Sequence, residues 1–340
     1  MTGEPGLSVA LALPRFRAAL QSAASGATEP LRLPAADWLA SRGRRGAAWR
    51  RDWREWLLER SVLDAGSLRR YPAGACVRAL APGRPVDGTW ACADPVHLLT
   101  GLDRLQLAPL SILGLAAEEG RTLVQWLNQA LAGSGFTLHH AEPGPWSLEC
   151  GSAIDCDAIE PALVEGEDIR ELLPGGRDGL QVRRLMNELQ MLLHEHPVNE
   201  ERTRRGLPAV NALWLWGFGT ALPASTVQLP LLHTDDRWLA GLWRLHGAAA
   251  RTLDGVATAM LRTDTRALLV AGARGDDRFD EPATRLRRWD VQLCEPLVAA
   301  AKQGQADELA VLFGDTPFTL ARASRFAFWR RGGALAEALR

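Results

Sequence analysis

The chain contains a single lysine, Lys302, and a single tyrosine, Tyr71, among its 340 residues. Its positive charge is therefore almost all arginine, a bias that GC-rich coding produces without any functional demand. The formal net charge is only −1, which argues against a broad nucleic-acid or anionic-membrane surface. The five cysteines, Cys76, Cys92, Cys150, Cys156 and Cys294, are odd in number and form no C-x-x-C pair. A zinc knuckle or disulfide framework is thereby disfavoured, and reduced thiols are expected. Residues 1–20 lack a basic start followed by an unbroken apolar run. No stretch reaches the roughly 18 apolar residues of a membrane span. These absences lead us to expect a cytoplasmic protein.

The common catalytic signatures are missing too. There is no G-x-S-x-G elbow, no G-x-x-x-x-G-K-S/T loop, no G-x-G-x-x-G fingerprint and no H-E-x-x-H pair. Histidine stops at His246. His139 and His140 are adjacent in an expected strand and so point to opposite faces.

What is present reads as α/β. Residues 7–13 (LSVALAL) suit a buried first strand, and 33–43 a turn, short helix and glycine stop. Over 47–60, Trp49, Trp53 and Trp56 fall at helical spacing among arginines. That stripe either docks on the core or meets another molecule. The proline- and glycine-rich stretch 72–97 reads as surface loop, 108–132 as helix, and 136–139 and 146–150 as short strands around the turn 142–145. Residues 180–195 give the clearest helix, with Val182, Leu185, Met186, Leu189, Leu192 and Leu193 on one face and Pro197 as its stop. The C-terminal third reads as strand 267–271, helix 284–302 kinked at Pro296, strand 309–313 and a hairpin over 317–329. That strand–helix–strand order implies a parallel sheet. The expected division is a core of 1–90 with 176–340, and an inserted smaller α/β subdomain at 91–175.

The densest run of unusual residues is HEHPVNEERTRRGLPAVNALWLWGFG, His194 to Gly219. It crosses from a helix through a charged loop into an apolar strand, a junction where α/β proteins often hold ligands. His196, Asn199, Arg202, Arg205 and Asn211 are the candidate anion-binding set, because arginine forks recognise phosphate and carboxylate. The competing reading is a solvated loop whose Glu200 and Glu201 pair with the arginines.

These residues resemble the archaeal-type cofactor-independent phosphoglycerate mutases of the alkaline phosphatase superfamily. That family carries His-Pro-x-Asn, Arg, Gly and Ala-Asn before a strand ending Arg-Gly-x-Gly. Here His196, Pro197, Asn199, Arg202, Gly206 and Asn211 match, and Trp216 stands in place of the arginine. The tryptophan-rich version, with NELQMLLH ahead of it, is similar to bacterial proteins labelled RpfE-type regulatory or phosphoglycerate mutase-like. Weaker likeness runs through LPAADWLASRG, with Leu33 for a threonine, and through PAGACVRALAPG, AIDCDAIEP and WLAGLWRLHG.

The resemblance implies an alkaline phosphatase-like fold, with a mostly parallel sheet flanked by helices. It also implies two metal ions held by aspartates and histidines, and a serine or threonine nucleophile. The chain departs from that pattern. The first aspartate is Asp37, far past the first strand. After 267–271 the chain offers Asp276 and Asp277 without a histidine, and after 309–313 it offers Asp315 without one. The serine loop is replaced by the Arg/Trp segment near 47–60. These departures imply a pseudoenzyme with remnant acids Asp276, Asp277 and Asp315, no catalytic residue to name and no cofactor. Its partners would be a phosphorylated or carboxylate small molecule or another protein, not nucleic acid or membrane. Two alternatives stay open: an active phosphomutase or phosphatase with a rebuilt site, and a structural protein presenting tryptophans.

Overall fold

The computed structural model describes residues 7–26, 31–64, 66–81, 86–101, 103–140, 146–221, 223, 227–260, 267–273, 281–323 and 335. In chain order its strands are β1 (Leu7–Leu13), β2 (Arg44–Arg45), β3 (Thr89–Val96), β4 (Leu98–Thr100), β5 (Leu105–Leu107), β6 (Phe136–His140), β7 (Trp146–Cys150), β8 (Ala212–Gly219), β9 (Leu231–Thr234), β10 (Ala267–Ala271), β11 (Ala306–Phe313) and β12 (Thr316–Ala321). They divide between two compact units, Met1–Ser67 with Thr226–Arg340, and Leu68–Ser225.

The first unit holds a six-stranded sheet in the order β2-β12-β11-β1-β10-β9. Strands β11, β1, β10 and β9 run parallel, and β12 and β2 add an antiparallel margin. Central position explains the near-unbroken apolar sequence of β1, in which only Ser8 is exposed. Its side chains pack with Phe16, Leu39, Leu286, Trp289, Leu297 and Phe313, which come from helices and strands far apart in sequence. Burying each such side chain contributes on the order of 1.5–3 kcal/mol. The chain is therefore mixed α/β, with a mostly parallel central sheet and flanking helices.

The second unit is built on an antiparallel sheet, β6-β7-β3-β8. Helix Gly179–His194 packs on β8, and helix Ala73–Ala79 packs on β3 and β8. The division by contacts differs from the sequence expectation of 91–175. Helix Gly179–His194 and β8 belong with the second unit because β8 pairs with β3 along its whole length.

Several local expectations are corrected. The stretch 72–97 is not a loop: it contains helix Ala73–Ala79 and β3. Gly74 is a packing glycine, since a Cβ there would lie 2.4 Å from Ala91 Cα. The helix at 47–60 is confined to Trp53–Leu58, started by Asp52 accepting from the Arg54 N–H. Residues 108–132 split into a 3₁₀ turn, Leu110–Ile112, and helix Ala117–Ala130. Pro197 does begin a new helix, Pro197–Arg204, where the sequence suggested loop. Near Pro296 the helix loosens into a π turn, Asp290–Cys294, with the Glu295 N–H bonded to the Asp290 carbonyl. Pro296 has no N–H to continue the α pattern, which accounts for the opening there. Of the expected 317–329 hairpin, β12 pairs with β11, whereas Phe326, Phe328 and Trp329 lie outside the described residues.

Candidate functional site

The His194–Gly219 segment lies wholly in the second unit. His196 caps helix Pro197–Arg204: its Nδ1 accepts from the Val198 N–H at 3.1 Å. Its ring meets Trp126 edge-on at 5.4 Å, and burial lowers its pKa.

Asn199 is buried and its amide is used at both ends. Nδ2 donates to the Leu193 carbonyl at 2.7 Å and the Val210 carbonyl at 2.9 Å, and Oδ1 accepts from the Val210 N–H at 2.8 Å. Asn211 treats Leu98 in the same way, accepting from its N–H at 2.7 Å and donating to its carbonyl at 2.9 Å. Asn128 repeats the pattern with Leu138, at 2.8 and 2.9 Å. In each case a carboxamide stands in for a peptide unit, offering one donor and one acceptor at peptide-like spacing.

Arg202 is 0% exposed. Its Nε donates to the Pro208 carbonyl at 2.9 Å, one terminal nitrogen to Glu119 at 2.6 Å, and the other to the Leu113 carbonyl. Glu119 also accepts from the Ala116 N–H at 2.9 Å and so caps helix Ala117–Ala130. Arg205 is different: its side chain is 57% exposed, with Nη1 3.7 Å from Glu119. The structure thus brings the five candidates into one neighbourhood, but turns the polar groups of Asn199, Arg202 and Asn211 toward the protein's own backbone and Glu119. Glu200 and Glu201 do not hold Arg202; Glu201 pairs with Arg204 at 2.6 Å instead.

A second cluster, of which the sequence offered only Asp315, lies at the carboxyl ends of the parallel strands of the first unit, where open α/β sheets place ligands. Asp235 and Asp236 follow β9. Asp236 caps helix Arg237–Leu245 and receives the fork of Arg54, with Nε at 3.2 Å from both carboxylate oxygens and Nη2 at 2.6 Å from one. Both side chains are 3% exposed. The Arg54 guanidinium also lies 4.8 Å from the Trp53 ring and 5.0 Å from the Trp238 ring. Asp235 accepts from the Ala273 N–H at 2.6 Å. Asp315, after β11, is held by Arg17 at 3.0 Å and by the Thr316 hydroxyl at 3.0 Å. Burial alone would raise the Asp315 pKa, but these partners hold it below the ordinary carboxylate range.

The segment between β2 and helix Trp53–Leu58 ties the two ends of this edge together. Its Trp49 N–H bonds the Asp315 carbonyl at 2.7 Å, and Arg54, in the first turn of the helix it leads into, reaches Asp236. Trp56 is buried, and Arg51 covers Trp49 at 4.1 Å.

Do these residues fit the pair of metal ions that the resemblance implies? β1 ends at Leu13 and is followed by Pro14, and neither side chain carries a ligating atom. Asp236 and Asp315 already carry guanidinium partners. Among the described residues no three His, Cys, Asp or Glu side chains group as metal ligands. The described donors do not fit two adjacent cations. Asp276 and Asp277 lie outside the described residues.

A mixed α/β unit whose strand ends carry arginine-paired carboxylates defines the class. Comparison with known proteins then narrows it. No protein-family model matches the chain. It is similar to the 2,3-bisphosphoglycerate-independent phosphoglycerate mutase of Methanothrix thermoacetophila, 28% identical over 216 residues, covering 63% of this chain and 51% of the relative. The corresponding protein of Methanosarcina barkeri is 26% identical over 198 residues, covering 55% and 48%. A probable member in Geobacter sulfurreducens is 29% identical over 115 residues, covering 32% and 27%. The chain spans about half the length, or less, of these relatives. Among solved structures, the cofactor-independent phosphoglycerate mutase of Thermoplasma acidophilum matches with a TM-score of 0.44 and 17% identity, over 98% of this chain and 95% of that one. A Pyrococcus horikoshii protein matches with a TM-score of 0.49 and 14% identity, over 94% and 87%. The chain is phosphoglycerate mutase-like in sequence.

Proposed function

We propose that this chain is an alkaline phosphatase-like, phosphoglycerate mutase-like protein that has given up two-metal phosphotransfer and acts by binding, in regulation. The observation that carries this reading is the buried Arg54–Asp236 pair at the carboxyl end of the parallel sheet. Two-metal catalysis needs carboxylates free to coordinate cations that stabilise both attacking and leaving oxygens. Here a tethered guanidinium neutralises one carboxylate and Arg17 a second. The ligand class is a phosphorylated or carboxylate small molecule, or a protein partner in the cytoplasm; the resemblance to RpfE-type proteins supports the regulatory role. Within the candidate set, Arg205 offers its guanidinium to solvent, while Asn199, Arg202 and Asn211 support the segment that presents it.

The test is an assay of 2- and 3-phosphoglycerate interconversion with Mn²⁺ or Mg²⁺, run beside calorimetric titration with 3-phosphoglycerate. No turnover, with binding that Arg205→Ala weakens, is expected. Metal-dependent turnover would overturn the proposal.

A further inference from the structure

His233 lies in β9, at the margin of the six-stranded sheet, and is 1% exposed. Residues 251–255 lie along that margin. The Arg251 N–H donates to the Leu232 carbonyl at 2.9 Å, and the Thr234 N–H donates to the Arg251 carbonyl at 2.9 Å. His233 Nδ1 lies 2.5 Å from the Thr252 carbonyl. A carbonyl only accepts, so Nδ1 must carry the proton and Nε2 must be the bare nitrogen. Nε2 is buried and has no hydrogen-bond partner among the described residues. The ring sits against Gly255, where a Cβ would come within 2.7 Å of Cε1.

A second proton would create a buried N–H at Nε2 with no acceptor among the described residues, and a buried charge, a costly combination. Among the described residues, the charged groups around the ring do not relieve it. Arg251 is exposed and its charge opposes another cation. Asp254 is exposed, Asp235 is engaged by Ala273 and Asp236 by Arg54. Strand β10 and helix Val256–Met260 carry no ionisable side chain, and helix Arg237–Leu245 carries only Arg237 and Arg244. Release of the segment would expose the imidazole to water and remove the penalty.

We infer that residues 251–255 form an acid-released strap on the margin of the parallel sheet, with His233 as its latch. Burial holds the His233 pKa below its ordinary value of about 6.5. The neutral ring therefore favours the closed strap above that pH, and closure weakens as pH falls from there toward the folded-state pKa.

Amide hydrogen exchange in the full chain tests this. After correction for intrinsic rates, protection at the Arg251 and Thr234 amides should fall about tenfold between pH 7.5 and 5.5. The Leu11 amide in β1 should not change. In His233→Asn, which keeps a donor near the Nδ1 position but does not titrate, the pH-dependent loss should disappear. Equal protection at both pH values, or an equal loss in His233→Asn, would overturn the inference. Should that variant not fold, the ring nitrogen shifts of the wild-type protein decide. A protonated Nδ1 at pH 7.5 supports the latch, and a protonated Nε2 refutes it.

Discussion

The carboxylate of Asp290 accepts hydrogen bonds from the backbone N–H groups of Ala35, at 3.2 Å, and Ala36, at 2.7 Å, from 255 and 254 residues along the chain. Helix Pro34–Arg42 has Leu33 at its N-cap, which offers no side-chain acceptor. Where the resembling family has threonine, this chain has leucine, and the missing cap is supplied from the π turn. Asp290→Ala should therefore lower stability by about 1–2 kcal/mol, read from urea denaturation.

Asp290 also has a pH signature. Burial pushes its pKa above the ordinary carboxylate range, against the pull of the two N–H groups. A raised folded-state pKa gives a stability contribution that is full below the unfolded value and is lost as pH rises through the folded value. The stability of the wild type relative to Asp290→Asn should be greatest in acid and decline as pH climbs past the folded-state pKa. Paired denaturation curves between pH 3 and 7 check this.

Asn199 needs both ends of its amide. Asn199→Asp would set a carboxylate oxygen against the Leu193 and Val210 carbonyls, both now hydrogen-bond acceptors of Nδ2. We expect a loss of about 2–4 kcal/mol, since a buried acceptor facing acceptors keeps its full desolvation cost. Asn211→Asp, at a half-buried position, should cost less. Chemical denaturation of the two variants gives the comparison.

Removing Arg54 leaves Asp236 buried without its guanidinium. Arg54→Met should cost roughly 3–5 kcal/mol, whereas Arg54→Met with Asp236→Asn should recover part of that loss. A double-mutant cycle by thermal or chemical unfolding measures the coupling. Additive effects would show that the pair is not a unit.

His196 acts as a cap only while Nδ1 is unprotonated. With its pKa lowered by burial, its contribution is present above the unfolded value near 6.5 and is lost as pH falls through the folded value. His196→Asn, which keeps a capping oxygen, should flatten this part of the acid dependence. Exchange protection at the Val198 amide reports it.

Much of the architecture was legible because it rests on local pattern. β1 stands where its short apolar run puts it, and helix Gly179–His194 where its apolar periodicity does. Proline and glycine misled where they serve packing rather than turning. Gly74 lets a helix touch β3, and Pro197 opens a helix. The block around His196 was recognisable from motif, but its hydrogen bonds were not, because a carboxamide reads alike whether it faces a ligand or a backbone. The Arg54–Asp236 pair joins residues 182 apart, and no spacing rule reaches that far.

The three carboxamide contacts, Asn128 to Leu138, Asn199 to Val210 and Asn211 to Leu98, have a further consequence. Each grips both the N–H and the carbonyl of a single residue. A strand displaced by one residue would turn that pair of groups to its opposite side. Asn128 therefore pins the register of β6, while Asn199 and Asn211 fix the chain just before β8 and at the start of β4, so three alignments are set without lengthening any strand.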